Sequence, residues 1–293
     1  MKIFVELGGI RFLFDSDCDI IVEDTFVPFL RSCETAPDVT VRLIHDFTGA
    51  PLPRSAMLGD DLLMEYYQEG EQLLCLTKGG QGKFLSSCLC ASDLKDMTCW
   101  LNFASGSPVD SLGGILRMIP MRRITMLLRV LFFHASQIGV GSKGILFTAP
   151  SGTGKTTQAK LWRKFRGVDI LCNDRTLTDG TLTYGFPTDG SEPVITGERR
   201  TLGAIVVLEQ APENAVRRLR PREILPRLMP QLVLDAWDPA SASAAMELLL
   251  DLIPRTPVYL LACTPDESAV RCLERQLVMD GVISHENDPG TYL

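Results

Sequence analysis

The sequence is short of the residues and runs that mark several classes of protein. It has three histidines, and its nine cysteines form no CxxC pair, which disfavours a zinc site. Basic residues number 29 against 36 acidic ones, a balance unlike that of a protein that coats nucleic acid. The most apolar run, 124–134, is interrupted by Arg129 and is far shorter than the roughly 20 residues of a membrane span. We therefore expect no nucleic acid partner and no membrane insertion.

The start of the chain also lacks the features of an export signal. The first residues, MKIFVELGGIRF, contain no long apolar core followed by a cleavage site. An odd number of cysteines fits reduced thiols that serve as small core residues. These absences predict a cytoplasmic protein. The composition, 45% hydrophobic and 22% charged, is that of an ordinary globular chain and excludes a disordered one.

Residues 1–110 have the pattern of a β-rich N-terminal region. Gly8-Gly9 separates two short apolar segments, as in a two-residue hairpin. Alternating apolar and polar residues over 38–47 predict another strand, and turn residues recur at roughly ten-residue spacing up to residue 103. No catalytic constellation is present in this region. We expect it to serve in scaffolding, partner docking or contact within a homo-oligomer.

Residues 111–280 change to strands that alternate with helices, which predicts an α/β domain. The expected strands are 137–140, 143–148, 168–172, 176–178, 182–184, 202–208 and 258–262. The expected helical segments are 111–133 with a break at Pro120, 155–165, 222–236, 240–252 and 266–279. Residues 281–293 contain Gly, Asn and Pro and predict a loose C-terminal tail.

A phosphate-binding pattern lies in the middle of the chain. Residues 149–157 read Ala-Pro-Ser-Gly-Thr-Gly-Lys-Thr-Thr, the P-loop pattern with alanine in place of its first glycine. Its two glycines let backbone N–H groups turn toward phosphate oxygens, and the following helix directs its positive end at the same anion. We expect a nucleoside triphosphate to bind through Ser151, Gly152, Thr153, Gly154, Lys155, Thr156 and Thr157. In this pattern the lysine reaches the β- and γ-phosphates, and the first threonine hydroxyl ligates Mg²⁺.

A metal ion at such a loop also needs an acidic ligand. Asp174 follows the expected strand 168–172, and ligands bind at the carboxyl ends of strands in open α/β sheets. The alternative is a turn aspartate that begins the next hairpin. We favour the metal role because this strand comes directly after the P-loop helix.

Four features in order resemble the catalytic domain of HPr kinase/phosphorylase, a bacterial protein-serine kinase. They are His134 ahead of the loop, the loop itself, Leu-Cys-Asn-Asp at 171–174 and Glu-Arg-Arg-Thr-Leu-Gly at 198–203, which is similar to that family's Glu-x-Arg-Gly-Leu-Gly. The resemblance covers about residues 130–210. It implies a P-loop kinase core of the HPr-kinase/phosphoenolpyruvate-carboxykinase type, since the loop is also similar to that of the ATP-dependent carboxykinase.

The resemblance also implies a reaction, its cofactors and roles for individual residues. ATP and Mg²⁺ would be the cofactors, and the γ-phosphoryl group would pass to a hydroxyl of a protein, peptide or small metabolite. His134 would support the acid/base position, and Asp174 would join Thr156 at the metal. Glu198, as a further metal ligand, and Arg200 would lie near the transferred phosphate. The plainer alternatives are a core histidine at 134 and an exposed charged turn at 198–200.

One departure from the family pattern bears on the reaction. The first aspartate of the family's pair, usually taken as the general base, is Asn173 here, and an amide cannot accept a proton at neutral pH. Asp174 could act as the base instead. Asn173 could merely orient a hydroxyl, since a loose transition state needs little base help. The third interpretation is an ATP-binding regulatory protein or a slow ATPase, and it stands as the alternative to a kinase.

Two further patterns have plain interpretations. The basic run Arg217, Arg218, Arg220 and Arg222 is read as a solvated linker and helix start, with docking of an acidic peptide as the alternative. The Gly/Pro cluster at 184–191 is read as a loop, with Asp189 as the candidate if it lines an acceptor pocket.

Overall fold

The computed structural model describes residues 1–32, 35–105, 109–187 and 196–284. Its fold is mixed α/β with two sheets, and the N-terminal part is rich in strands, which confirms the expected class at this level. The chain divides into two compact units. Unit 1 comprises Met1–Leu128 and Leu234–Ala242, and unit 2 comprises Arg129–Val233 and Ser243–Leu293. The division therefore falls after Leu128, whereas composition suggested a boundary at residue 110.

Unit 1 contains a sheet in the order β1-β2-β3-β8-β7-β6-β5-β4. Its strands are β1 (Lys2–Leu7), β2 (Ile10–Ser16), β3 (Val39–Ile44), β4 (Met57–Asp60), β5 (Met64–Glu69), β6 (Gln72–Lys78), β7 (Phe84–Cys90) and β8 (Asp96–Leu101). The predicted first hairpin is confirmed, and Gly8 and Gly9 have φ values of 63° and 82°, which glycine adopts without steric cost. Strand β4 was not expected from the sequence.

Two short helices end the first part of unit 1. They are α1 (Leu112–Leu116) and α2 (Met121–Leu127), and the break predicted at Pro120 is confirmed. The helix expected to continue to residue 133 is wrong in its last part, because a strand begins at Leu131. That segment, Leu-Phe-Phe-His, pairs with residues 175–178, so sheet hydrogen bonds override its helical spacing.

Unit 2 contains the second sheet. Its strands are β9 (Leu131–Val140), β10 (Lys143–Thr148), β11 (Asp169–Cys172), β12 (Arg175–Thr178), β13 (Leu182–Gly185), β14 (Arg199–Gln210), β15 (Ala215–Arg218) and β16 (Val258–Cys263). Strands β9, β10, β14, β13 and β12 pair in succession and close into a ring, since β12 also pairs with β9. Strand β16 lies parallel to β14, and β15 forms the edge. The expected linker at 217–218 is therefore wrong, because both residues lie in β15.

Four α-helices lie between residues 155 and 279. They are α3 (Lys155–Arg166), α4 (Pro221–Leu228), α5 (Pro239–Leu252) and α6 (Glu267–Met279). Helix α4 is shorter than the expected 222–236. Within the described residues, no helix combines the length and the hydropathy needed to cross a bilayer. Trp162 of α3 packs near Phe147 of β10, with ring centroids 6.5 Å apart, in a core that also contains Leu273 of α6.

Residue 281 does not end the packed structure. Ile283 is 9% exposed and belongs to the same core as Trp162, so the predicted tail begins later than residue 281. Residues 285–293 lie outside the described residues.

The ring of strands generates a prediction about Gly144. A Cβ atom at Gly144 would lie 2.3 Å from Thr183 Cγ2 and 3.1 Å from Gln137 Nε2, whereas a Cβ at Gly139, its partner on β9, would have no contact shorter than 3.4 Å. We expect Gly144→Ala to lower the free energy of unfolding by about 1–3 kcal/mol through overpacking. Gly139→Ala is the control and should change it by less than about 1 kcal/mol, within the range of a tolerated packing change. Urea unfolding followed by circular dichroism measures both, and equal effects would contradict the packing argument.

Candidate functional site

The loop between β10 and α3 has the backbone that its glycine pattern predicts. It begins after Thr148, the last residue of β10, and ends where α3 starts at Lys155. Gly152 has φ = 79° and Gly154 has φ = 114°, a region that residues with a side chain rarely adopt. The N–H of Thr153 donates to the carbonyl of Pro150 at 3.3 Å and tightens the turn. The amino end of a twelve-residue helix therefore opens directly onto the glycine turn.

Lys155 is buried at this turn, with 7% of its surface exposed. Its ammonium donates to the carbonyl of Ala149 at 2.8 Å and of Pro150 at 3.3 Å. Burial lowers the pKa of Lys155, and the negative charge of Asp174 acts in the opposite direction. The lysine and the carboxylate are thus close enough for their charges to interact.

Asp174 is held by a cationic residue on one side and by a histidine on the other. His134 Nε2 lies 3.2 Å from Asp174 Oδ1, and Arg175 Nε donates to Asp174 Oδ2 at 3.1 Å. The hydrogen bond from His134 is the main cause that lowers the pKa of Asp174 to about 2, and Arg175 adds to it, while burial opposes both. His134 therefore does not fill the core but fixes an ionised carboxylate.

Backbone contacts along β9 set the position of residues 173 and 174. The hydroxyl of Ser136 donates to the carbonyl of Asn173 at 2.8 Å, and the N–H of Ala135 donates to the carbonyl of Asp174 at 3.1 Å. The hydroxyl of Thr148 donates to the carbonyl of His134 at 3.0 Å, which ties the end of β10 to the same part of β9. Asn173 itself is 8% exposed. The bend between β11 and β12 is therefore anchored beside the loop.

The low pKa of Asp174 bears on which residue could remove a proton. A general base works best when its pKa lies near the working pH. A carboxylate with a pKa of about 2 holds its proton weakly and accepts one poorly at neutral pH. The arrangement thus favours a ligand or charge-stabilising role for Asp174 over the role of base.

Glu198 and Arg200 contact each other. Arg200 Nη2 forms an ion pair with Glu198 Oε2, and Arg200 Nη1 donates to the carbonyl of Arg199 at 3.3 Å. Next to them in sequence, Thr201 pairs with Lys143, the first residue of β10, whereas the loop follows the last residue of that strand. Among the described residues, no contact joins either side chain to the loop or to Asp174. Their expected place at the phosphate gains no support from this geometry and stays a prediction.

Two residues that the sequence analysis did not predict lie beside the loop. Glu209 and Gln210 end β14, the parallel neighbour of β10, and line an open depression of about 430 Å³ with residues 150–153. Gln210 Nε2 lies 3.4 Å from the carbonyls of Gly152 and Thr153. The sequence does carry a signal for Glu209, because an apolar strand that ends in an acidic residue often follows a P-loop and supplies a metal ligand.

The other loop residues differ in exposure. Ser151, Gly152 and Thr157 are exposed, and Thr153, Gly154 and Thr156 are partly buried. Hydroxyl and carboxylate oxygens from Thr156 and Asp174 are the type of donor that Mg²⁺ prefers. Each Asp174 oxygen accepts one hydrogen bond and keeps capacity for a second interaction. The donor set therefore fits a magnesium–phosphate ligand. Asp189 lies outside the described residues.

The pKa of Asp174 predicts how stability depends on pH. An aspartate whose folded pKa lies below its unfolded value of about 3.9 contributes stability above that value and loses it as the pH falls toward the folded pKa. We expect Asp174→Asn to lower the free energy of unfolding by about 1 kcal/mol at pH 7, after allowing for solvent screening. The difference from the wild type should shrink between about pH 4 and pH 2.

Urea titrations across this pH range make the measurement. Asp169→Asn, at the exposed start of β11, is the control and should leave the free energy of unfolding nearly unchanged. A difference between wild type and Asp174→Asn that stays constant down to pH 2 would contradict the assigned ion pair.

Comparison with known proteins does not assign the chain to a family. The chain matches no protein-family model, and no curated protein matches it in a sequence search. The glycine turn, the buried lysine and the carboxylate held by His134 are the features of the site that bear on its function.

Proposed function

We propose that unit 2 binds a nucleoside triphosphate with Mg²⁺ and transfers the γ-phosphoryl group to a hydroxyl of a protein, peptide or small metabolite. One observation carries the proposal: a glycine turn, a buried lysine and an ionised carboxylate converge at the end of β10. Enzymatic phosphoryl transfer is mostly positioning and charge stabilisation, which are what these groups provide.

In this proposal each group of residues has its own role in binding. Backbone N–H groups of residues 151–156 and the ammonium of Lys155 bind phosphate oxygens, in exchange for the carbonyls that the ammonium now contacts. Thr156 and Asp174 hold the metal ion, and His134 keeps the Asp174 side chain in one orientation and ionised. When bound, ATP supplies the phosphoryl group and Mg²⁺ neutralises its charge.

The proposal also includes a specific fold for unit 2. A P-loop core of the HPr-kinase type is supported by the order of His134, the loop and Asp174, which meet although they lie on three different segments of chain. The pair Glu198–Arg200 does not add to this support. A cytoplasmic location with reduced thiols fits an ATP-dependent enzyme.

Removal of the lysine tests the site directly. With γ-labelled ATP, Mg²⁺ and candidate protein, peptide and metabolite acceptors, we expect Lys155→Ala to reduce label transfer by about 10²-fold or more, because it removes the cation that stabilises the phosphates. Lys160→Ala, an exposed lysine on the same helix, is the matched control and should transfer label at the wild-type rate. Transfer that survives Lys155→Ala would place the reaction elsewhere.

A second candidate function is favoured by Asn173 and by the low pKa of Asp174. With an amide at the expected base position and a weak base beside it, the protein could bind ATP as a regulator or hydrolyse it slowly. Calorimetry would then show ATP binding without any phosphorylated acceptor. Phosphate release without an acceptor, at a rate comparable to transfer, would identify an ATPase.

The variant Asn173→Asp tests whether the missing general base is what limits turnover. If a missing base limits turnover, restoring the carboxylate should raise the rate of label transfer by about 10²-fold, the size of a general-base contribution. Turnover and ATP affinity are both measured for the wild type and the variant, and the ATP affinity should change little. Unchanged turnover in Asn173→Asp would mean that the base position does not limit the reaction.

A further inference from the structure

A cavity lined by cationic residues lies at the other end of the parallel strands of unit 2 from the loop. Strands β10, β14 and β16 are mutually parallel, and their amino ends border a cavity of about 280 Å³. Lys143, Gly203 and Pro257 line it from these strand starts. A rise of about 3.3 Å per residue puts Lys143 about 17 Å from Thr148, where the phosphate loop begins. The two sites are therefore separate.

Three cationic residues from three elements line this cavity. They are Lys143 at the start of β10, Arg218 at the end of β15 and Arg255 just before β16. Among the described residues, none of the three forms an ion pair with a carboxylate. Arg255 Nε donates to the backbone carbonyl of Asp251, whose carboxylate is paired with Arg129 at 2.8 Å. Three cationic residues thus line one cavity, and none of them is paired with a carboxylate among the described residues.

The strand geometry separates Arg218 from its basic neighbour. Successive side chains of a strand point to opposite faces, so Arg217 and Arg218 of β15 cannot serve the same site. Arg217 donates to both oxygens of Glu223, at 3.0 and 2.8 Å, and its charge is neutralised there. Arg218 lines the cavity instead. The basic run seen in the sequence is therefore divided between a surface ion pair and the cavity.

One carboxylate among the described residues lines the same cavity. Asp280 accepts a hydrogen bond from the hydroxyl of Tyr259 at 2.6 Å and from Gln276 Nε2 at 3.0 Å. Its two oxygens are thus engaged by neutral donors rather than by the three cations. With three positive charges and one negative, the cavity keeps a net positive charge.

Gly203 of β14 lies close to two residues of β10 beside the cavity. A Cβ atom there would lie 3.0 Å from Lys143 Cβ and 3.1 Å from Ile145 Cδ1, closer than ordinary contacts. A side chain at position 203 would therefore press on Lys143 and Ile145, so glycine fits at this wall of the cavity.

We propose that this cavity binds a small oxyanion with two or more negative charges, of the phosphate class. Guanidinium groups donate in a planar fork that matches phosphate oxygens, and a lysine ammonium adds a point charge. The cavity is distinct from the triphosphate site, so the proposal goes beyond the proposed function and can fail independently of it.

Isothermal titration calorimetry with inorganic pyrophosphate tests the proposal. The full-length Lys155→Ala variant serves as the parent protein, because it removes the lysine of the phosphate loop. We expect saturable binding of one pyrophosphate by this parent, and at least a tenfold weaker affinity after Arg218→Gln or Arg255→Gln is added. Arg217→Gln removes the same charge from the opposite face and should change the affinity by less than twofold. Citrate, a tricarboxylate, should bind more weakly than pyrophosphate.

Three results would overturn the proposal. Pyrophosphate that fails to bind the Lys155→Ala parent would show that the cavity is not a pyrophosphate site. An equal loss from Arg217→Gln and Arg218→Gln would reduce the effect to net charge. Citrate binding as tightly as pyrophosphate would refute the phosphate class. Circular dichroism checks each variant for folding, and if Arg218→Gln does not fold, Arg255→Gln and Lys143→Gln carry the comparison.

Discussion

Lys155 carries a positive charge into a position that is 7% exposed, and this burial is tolerated only because oxygen atoms surround it. A buried cation without partners costs several kcal/mol, so the turn must present its carbonyls and stay close to an ionised carboxylate. Asp174 provides that charge, and His134 and Arg175 keep it ionised. The buried charge of Lys155 thus links the positions of three elements: the glycine turn, the bend at 173–174 and strand β9.

Strand pairing explains why these groups meet. Strand β9 pairs with β10 on one edge and with β11 and β12 on the other, so His134 lies between the strand that leads into the loop and the strand that follows Asp174. Because β14 is parallel to β10, its carboxyl end reaches the same edge and brings Glu209 there. The amino ends of the parallel strands border a different set of cations. One sheet therefore carries two candidate anion sites at opposite ends of its parallel strands.

The chemistry follows from what the site has and what it lacks. It offers N–H groups, an ammonium and hard oxygen donors, which suit a metal-bound phosphate chain. Neither residue at the bend is a strong base, since residue 173 is an amide and Asp174 has a pKa of about 2. Positioning and charge stabilisation are sufficient for a loose phosphoryl-transfer transition state, and the same set of groups also suits a protein that only binds ATP. Turnover therefore distinguishes the two functions, whereas affinity does not.

Local patterns in the sequence determined the first hairpin, the strands around the glycine turn, the helix that starts at Lys155 and the residue types of the loop. Each of these depends on neighbours within a few residues, such as Gly152 and Gly154, whose φ angles no other residue type adopts easily. Only the tertiary structure made a strand of residues 131–134, placed Arg218 in an edge strand and brought Glu209 beside the loop. Those outcomes depend on hydrogen bonds and charges between segments far apart in the chain, and the periodicity of a single segment does not encode them.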